Sequence, residues 1–414
     1  MKWQSGMTLV ELMVSLAIVL LVVVAATAAY LKILTSYKSQ GAVSQNFMQN
    51  LTGFDLIRYD LQMAGYGLPT NLSGFSYTEA TSPGSYTGYQ PPYDPSLLDE
   101  SNLGNASGPP HALVVSNGAN PIGENTLSDN TSAVLAIKST VANINTASGH
   151  FGVLSTTALD TSATNLVNGD HYILIDSSGA LQQGSAAGVW DNTFHPGTPP
   201  GPLASGLLGF LYGLSTHSTG AMPFNRADYF LDSQNLPSYC APGTFELYRG
   251  YVNQTTPVNA GDPQVGQLVA SPLIDCVEDF QVAFGIDPSG AGTSAILWQT
   301  DLTQTYIGLM DSSTPMSPSQ LQQFLREVKI FILYQEGRGN VSTSTGIGTS
   351  GSISLGDTAT DTTGLTNNIH LNPLGGNSFT PGSTDVAATC PQCAQYRWRV
   401  KEIDVKPMNL HVNW

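Results

Sequence analysis

Basic residues are scarce in this chain of 414 residues, which has 14 lysines and arginines against 30 acidic residues and a formal net charge of -16. Such a chain has no bulk attraction to nucleic acid or anionic lipid, so we expect no nucleic-acid partner. Only 11% of the residues are charged, whereas glycine (42) and proline (25) are frequent. This composition favours a β-rich extracytoplasmic protein with long connections over a helical cytosolic enzyme.

The sequence also lacks the common catalytic motifs. It contains no GxxxxGK[ST], HExxH or GxSxG pattern, and no two of its seven histidines stand at metal-ligand spacing. We therefore expect a protein that is not an enzyme and that carries no cofactor or catalytic metal. A Ser-His-Asp triad assembled by the fold is the alternative that the sequence leaves open.

Long apolar runs are missing except for one near the N-terminus, where residues 12–31 include no charge. A helix of this length is about 30 Å long, the thickness of the hydrocarbon core of a bilayer. No Ala-x-Ala-like site follows the run, so we predict a membrane segment and not a cleaved secretory signal. Glu11 stands at its start, where a carboxylate costs about 2.5 to 3.5 kcal/mol and calls for a partner.

The residues before this run carry a family resemblance. Gly6-Met7-Thr8-Leu9-Val10-Glu11-Leu12 resembles the type III signal of prepilins, the precursors of type IV pilins and type II secretion pseudopilins. The resemblance implies that prepilin peptidase cuts between Gly6 and Met7, that Met7 becomes N-methylated, and that Glu11 docks subunits.

Electrostatics gives Glu11 a partner of its own, independently of the family. Cleavage creates an α-amino group on Met7, and pairing with it, within or between chains, would set the axial register of neighbouring subunits. The alternative is an uncleaved signal anchor in which Glu11 lies at the headgroup level.

One continuous helix is predicted over residues 8–64. We interpret 7–31 as the transmembrane and assembly half, which is apolar all round, and 32–64 as the amphipathic half, which is striped. The stripe consists of apolar residues spaced by three or four: Val43, Phe47, Leu51, Phe54, Ile57 and Leu61. This spacing predicts that the second half lies against the rest of the protein. Gly41 and Gly53 weaken the helix, and Gly65 and Gly67 end it.

The remaining chain is predicted to form a head built on an antiparallel sheet. We interpret 65–110 as a surface loop insertion, 111–336 as the β-rich head, 337–394 as a Gly/Ser/Thr-rich loop and 395–414 as C-terminal strands. Residues 184–242 hold few clear elements and stay unassigned. Strands are predicted at 111–116, 133–139, 171–175, 245–252, around 280–284 and at 328–334.

Two further patterns concern single elements. Ser317, Pro318 and Gln320 predict the capped start of a short helix that runs through Phe324. In the tail, Tyr396, Trp398 and Val400 alternate with basic residues, and the apolar phase then shifts to Ile403 and Val405, which predicts a β-bulge after Glu402. The aromatic and arginine stripe is a candidate site for single-stranded DNA, but a core face is favoured in so acidic a chain.

The four cysteines and two aspartates are the candidate structural or metal sites. Cys390-Pro391-Gln392-Cys393 has the CxxC form, which fits zinc, redox chemistry or a structural bond. We favour two disulfides, Cys390 to Cys393 by proximity and Cys240 to Cys276 by elimination, over a four-cysteine zinc site. Asp357 and Asp361 are a candidate calcium site, but their spacing matches no EF-hand and a solvated loop is favoured.

Further stretches narrow the resemblance. Residues 273–287, the helix and strand of 317–336, and the closing motif of 396–410 resemble PilW-type minor pilins. The resemblance implies an α+β type IV pilin fold, in which a long N-terminal helix packs on an antiparallel β-sheet head with long loop insertions.

The same resemblance implies a function. Such a protein is anchored in the inner membrane with its head in the periplasm, joins other minor pilins and the major pilin, initiates pilus assembly and ends at or near the pilus tip. The alternatives are a J-type pseudopilin of type II secretion and a tip adhesin that binds through the enlarged loops.

Overall fold

A computed structural model describes most of the chain. The described residues are 9–86, 89–103, 105, 108–116, 133–154, 159–160, 164–184, 189–196, 208–215, 221–241, 243–257, 259, 261–291, 296–299, 316–337 and 398–410. The two α-helices described are α1 (Leu9–Gln62) and α2 (Pro318–Phe324). The strands are β1 (Leu113–Ser116), β2 (Val134–Ser139), β3 (Phe151–Leu154), β4 (Leu159–Asp160), β5 (His171–Asp176), β6 (Asn192–Thr193), β7 (Gly209–Ser215), β8 (Asn225–Asp232), β9 (Phe245–Val252), β10 (Leu268–Ile286), β11 (Leu297–Gln299), β12 (Leu325–Gln335) and β13 (Trp398–Val405).

The predicted α+β class is confirmed. An apolar N-terminal helix is followed by antiparallel sheets, as in a pilin fold with a large sheet head. The main sheet has eight strands in the order β1-β2-β8-β9-β10-β12-β13, with β11 paired to β10, and a second sheet has the order β4-β3-β7-β5-β6. Strands β7 and β8 come from the stretch that stays unassigned in the sequence.

Helix α1 ends where the glycines predict. Gly65 and Gly67 adopt positive φ angles of 81° and 68°, which residues with a Cβ rarely take. The N–H of Gly65 donates to the carbonyl of Lys138 at 3.0 Å, so the end of the helix is tied to β2. The second sheet joins the head here, because Gly67 lies against Tyr212 of β7.

The striped half of α1 lies on one face of the main sheet. Phe54, Ile57 and Leu61 are buried there, as predicted. The expectation was wrong for Leu51, which is 44% exposed because it points away from the sheet. The side chains of Val43 and Phe47 lie outside the described part of the structure. Gly53 allows the close approach, since a Cβ at that position would meet Ile274 Cγ1 at 2.9 Å.

Both faces of the main sheet carry clusters of buried apolar residues. The face toward α1 carries, among others, Leu135, Tyr229, Phe280, Ile330 and Ile403. The opposite face is covered at the β2-β8-β9 end by residues 77–86 and 89–103, which we call the strap. The strap contains two short 3₁₀ helices, Pro83–Ser85 and Pro95–Leu98, and no strand.

The interpretation of 65–110 as a surface loop insertion was wrong for the strap, which is part of the core. Tyr86, Tyr93 and Leu98 are buried against Phe230 and Tyr248 of the sheet. The segment is irregular because it has no hydrophobic period of its own, but its aromatic residues still supply core contacts.

The predicted bulge in β13 was also wrong. Strand β13 pairs with β12 in unbroken register from Val328 opposite Val405 to Gln335 opposite Trp398. The apolar phase shifts because Val400 faces a cluster on the outer face with Phe331, whereas Ile403 faces α1. A strand buried on both faces produces such a shift without any extra residue.

Candidate assembly and membrane site

The N-terminal half of α1 is the candidate assembly site. Residues Leu9–Leu34 form a helical segment long and apolar enough to cross a membrane by length and composition, and none of it is buried in the head. At about 1.5 Å per residue this segment is about 39 Å long. The exposed apolar surface needs either lipid or the helices of neighbouring subunits around it.

The serine and threonine hydroxyl groups of this segment are satisfied within the helix. Ser15 Oγ donates to the carbonyl of Leu12 at 2.9 Å, and Thr27 Oγ1 donates to the carbonyl of Val23 at 2.7 Å. These bonds matter because an unpaired hydroxyl has no water to bind within a bilayer. Ser15 and Thr27 therefore add no unsatisfied hydroxyl to the apolar exterior of the segment.

Two charges flank the uncharged stretch. Glu11 stands in the first turn of α1, where the helix dipole favours a negative charge. Lys32 follows 21 positions later, which is about 31 Å along the helix axis and close to the thickness of the hydrocarbon core. Glu11 thus lies at one boundary of the span. Gly6 and Met7 lie outside the described residues, so their roles stay predictions.

A buried ion pair fixes α1 to the head. Asp60 is 2% exposed, and its Oδ2 accepts hydrogen bonds from Arg249 Nε at 2.8 Å and from the Tyr229 hydroxyl at 2.6 Å. Lys401 also lies over the ring of Phe54, 5.5 Å from its centroid. These contacts join the helix to β8, β9 and β13. The sequence offered one signal for Asp60, its position on the same helix face as Ile57 and Leu61.

A disulfide joins β10 to the segment that precedes β9. Cys240 and Cys276 are bonded, with their Cα atoms 5.1 Å apart, which is the pairing that the sequence suggested by elimination. Two of the four sulfurs are therefore bonded to each other, which excludes the four-cysteine zinc site. Cys390 and Cys393 lie outside the described residues.

The other candidate sites have less support. Asp357 and Asp361 lie outside the described residues, as do Tyr396 and Arg397 of the proposed DNA-binding stripe. Arg399 of that stripe pairs with Glu336 at 2.7 Å. Among the described residues there is no group of three or more His, Cys, Asp or Glu side chains that could hold a metal ion.

A second group of buried charges, which no sequence pattern predicts, lies between the strap and the sheet. The strap contributes Glu79, Asp99 and Glu100, and the sheet contributes Lys138 of β2 and Arg226 of β8. Lys138 Nζ lies 2.9 Å from Glu79 and 2.7 Å from Glu100. Both cations are fully buried, with relative exposures of 0%. We call this group, together with Asp228 of β8, the charge network.

The network changes the pKa of its members in opposite directions. Burial raises the pKa of Asp99 to about 7, against the attraction of Arg226 and with the repulsion of Glu79. Burial also acts to raise the pKa of Glu100, but Lys138 and His111 outweigh it and hold that pKa well below its usual value. Burial tends to lower the pKa of Lys138, yet Glu79 and Glu100 raise it.

Comparison with known proteins identifies the N-terminal element. Residues 1–27 match the family model described as the prokaryotic N-terminal methylation motif. No curated protein sequence and no solved structure matches the chain. The matched residues include Gly6, Met7 and Glu11 and extend into the apolar half of α1.

Proposed function

We propose that this protein is a minor pilin of the PilW type, which initiates type IV pilus assembly and is located at or near the pilus tip. One observation carries the proposal: a single helix leads from the methylation motif, through a span that the head leaves exposed, onto an antiparallel sheet. The motif supports the broader class of type IV pilins and pseudopilins. The PilW assignment rests in addition on the resemblance of 273–287, 317–336 and 396–410.

The mechanism follows from the two ends of α1. Prepilin peptidase cuts after Gly6, and the methylated amine of Met7 pairs with Glu11 of the same or a neighbouring chain. A pair of opposite charges at the edge of the hydrocarbon costs less than two single charges, so subunits register axially on this contact. The head follows the helix because Asp60 and Arg249 hold the two together.

The proposal includes a place and partners. The head lies in the periplasm while α1 stays in the inner membrane, and the protein then moves into the pilus with other minor pilins and the major pilin. Its role is structural and not enzymatic. A J-type pseudopilin has the same architecture, and the genes beside this one would separate the two systems.

The adhesin alternative loses one of its two loops. It invokes the enlarged segments 70–110 and 340–389. Much of the first segment is the strap, in which Tyr86 and Tyr93 are buried against the outer face of the main sheet. Buried side chains are not free to bind a host surface. The second segment lies outside the described residues, so nothing favours adhesion over assembly.

The first test is mass spectrometry of the mature N-terminus from the native host. We expect the chain to begin at Met7 with a methylated amine. A protein that keeps residues 1–6 would contradict the proposal, because an uncleaved chain has no free amine beside Glu11.

The second test is the substitution Glu11→Ala. We expect the variant to accumulate in the inner membrane at a normal level but to be lost from sheared pili, with pilus number reduced. Asp55→Ala, on an exposed position of the same helix, is the matched control and should assemble normally. Normal recruitment of Glu11→Ala would overturn the proposed docking role.

A further inference from the structure

The strap is fastened to the main sheet by charges that water hardly reaches. Glu79 Oε1 accepts hydrogen bonds from the Glu100 N–H at 3.0 Å and from Lys138 Nζ at 3.1 Å. Asp228 receives Arg226 at two atoms, both at 2.8 Å, and the hydroxyl of Tyr93 at 2.6 Å. The strap thus depends on the ionisation state of this network.

The charges of the network do not balance. Four carboxylates (Glu79, Asp99, Glu100 and Asp228) face two cations, Lys138 and Arg226. His111 is the third basic group, and its Nδ1 lies 2.5 Å from Glu100. Carboxylates in excess of nearby cations cannot all ionise cheaply in a buried site. One of them is therefore expected to hold a proton near neutral pH.

Geometry identifies Asp99 as that carboxylate. Glu79 and Asp99 share one nitrogen of Arg226, Nη1, which lies 3.2 Å from Glu79 and 2.6 Å from Asp99. Both oxygens of Glu79 and of Glu100 accept contacts from cations or N–H donors. Among the described residues, the hydrogen bonds to the Asp99 carboxylate are made to Oδ1. Asp99 is thus the member that gains least from ionising.

Asp99 is also the member that can exchange a proton with solvent. Its side chain is 10% exposed, against 2% or less for the other ion-paired side chains of the strap and of β8. A cavity of about 320 Å³ lies between the strap and the turn before β10, and it is lined by Tyr77, Glu79, Asp99, Glu100 and Gly266 among others. A cavity of this size has room for water, which would give a path to the carboxylate without unfolding the sheet.

We propose that the strap is a pH-sensitive fastening, closed while Asp99 carries a proton and loosened as Asp99 ionises. Ionisation of Asp99 adds a negative charge next to Glu79. Arg226 contacts both carboxylates through one nitrogen and neutralises them only in part. Loosening the strap uncovers the outer apolar cluster of the sheet, which includes Phe224, Phe230 and Val252. The head would then present different surfaces to its partners in acidic and in neutral surroundings.

The direction follows from linkage. The pKa of Asp99 is raised from 3.8 to about 7 when the strap is closed. An open strap returns the group to water, so the closed state binds the extra proton between these values and opening becomes easier as pH rises. The opening constant increases by up to about tenfold per pH unit in that window and levels off above it.

The groups that face Asp99 do not reverse this direction. They are Glu79, Glu100 and Tyr77 on the strap, Lys138 on β2, and Arg226 and Asp228 on β8. The pKa of Glu100 is lowered, so this group titrates below the window. The pKa values of Tyr77 and Lys138 are raised, and these groups titrate above it.

Hydrogen exchange of the full chain in detergent tests the proposal. The readout is the protection factor of peptides from residues 94–103, which removes the intrinsic effect of pH on exchange. We expect protection to fall by about tenfold or more between about pH 5.5 and pH 7.5, with β12 peptides unchanged. Asp99→Asn, which mimics the protonated carboxyl, should remove the dependence and keep the strap protected at both pH values.

Asp94→Asn is the matched control, because Asp94 lies on the same strap and caps the helix Pro95–Leu98 through Ser96. It should leave the pH dependence as in the parent chain. Protection that does not change with pH, or that changes equally in Asp99→Asn, would overturn the proposal. Equal flattening by Asp94→Asn would overturn it as well, since the effect would then not belong to Asp99.

Discussion

Asp60 shows what a single buried charge contributes to this fold. The apolar residues around it, Ile57 and Leu61, give α1 affinity for the sheet but little preference for one axial position. Asp60 has such a preference, because its carboxylate meets Arg249 and Tyr229 only in one register. A residue of this type sets the position of the head relative to the membrane span.

The substitution Asp60→Ala is predicted to destabilise the head by about 3 to 5 kcal/mol, because it leaves the guanidinium of Arg249 buried without its partner. The measurement is urea unfolding of the full chain in detergent. Asp55→Ala, on the exposed side of α1, is the control and should change stability by less than about 0.5 kcal/mol. A loss of that small size for Asp60→Ala would contradict the structural role.

Residues with a local signature could be predicted from the sequence. Ser317 caps α2 and Gln320 bonds back to it, as their spacing indicates. The end of α1 at Gly65 could also be predicted, because a glycine stop depends only on the conformation of the local backbone. Arg226 and Lys138 could not be predicted, because their acidic partners are distant in sequence and a buried cation has no periodic signal of its own.

Among the elements, the strands with an uninterrupted run of apolar and β-branched residues were predicted best. Strand β9 has the bounds predicted, and β12 extends beyond its prediction at both ends. Strands β7 and β8 were missed because glycines in β7 and charged residues in β8 interrupt the pattern. Arg226 and Asp228 in β8 belong to the charge network, so one face of that strand is buried although its residues are charged.

Gly53 determines how closely α1 approaches β10. On helix propensity alone Gly53→Ala would stabilise by about 1 kcal/mol. We predict the opposite, a loss of about 1 to 3 kcal/mol, because the added Cβ would lie 2.9 Å from Ile274 and 3.1 Å from the carbonyl oxygen of Leu273.

Urea unfolding of Gly53→Ala measures this effect, and Thr52→Ala at the neighbouring exposed position is the control. A stabilised Gly53→Ala variant would show that the sheet can move away from the helix at no cost. Helix propensity alone makes Gly53 a weak point of α1, whereas packing makes it the position of closest contact with β10.

At the scale of the whole molecule, acidic residues are not confined to the surface. Glu246 is 4% exposed and lies directly opposite Asp232 in the β8–β9 pair. Burial raises the pKa of Glu246 to about 7, and the charges of Asp275 and Asp232 add to the effect. Asp99 behaves in the same way in the charge network.

These groups predict the pH dependence of stability. Glu246 and Asp99 bind protons more tightly in the folded protein, from their usual values of 4.5 and 3.8 up to about 7. Their contribution is therefore present at low pH and lost as pH rises through about 7. Glu100 and Asp176 have lowered pKa values, so their contribution is present at higher pH and lost as pH falls below their usual values.

The free energy of unfolding is expected to be greatest near about pH 5 and to decrease toward about pH 7. Urea titrations across this range provide the measurement. The double variant Asp99→Asn and Glu246→Gln should flatten the decrease. Stability that increases between pH 5 and pH 7 in the parent chain would contradict the assignment of these two groups.

Helix α1 is made first, but the strands on which it rests are made late: β10 comes after nine other strands, and β13 is the last strand described. During synthesis Phe54, Ile57 and Leu61 of α1 therefore stay uncovered until most of the chain has been made. Closing so long a loop is slow compared with forming a hairpin. During that delay the incomplete chain exposes an apolar helix face. A chaperone or another subunit would be able to bind this face before the chain's own strands cover it.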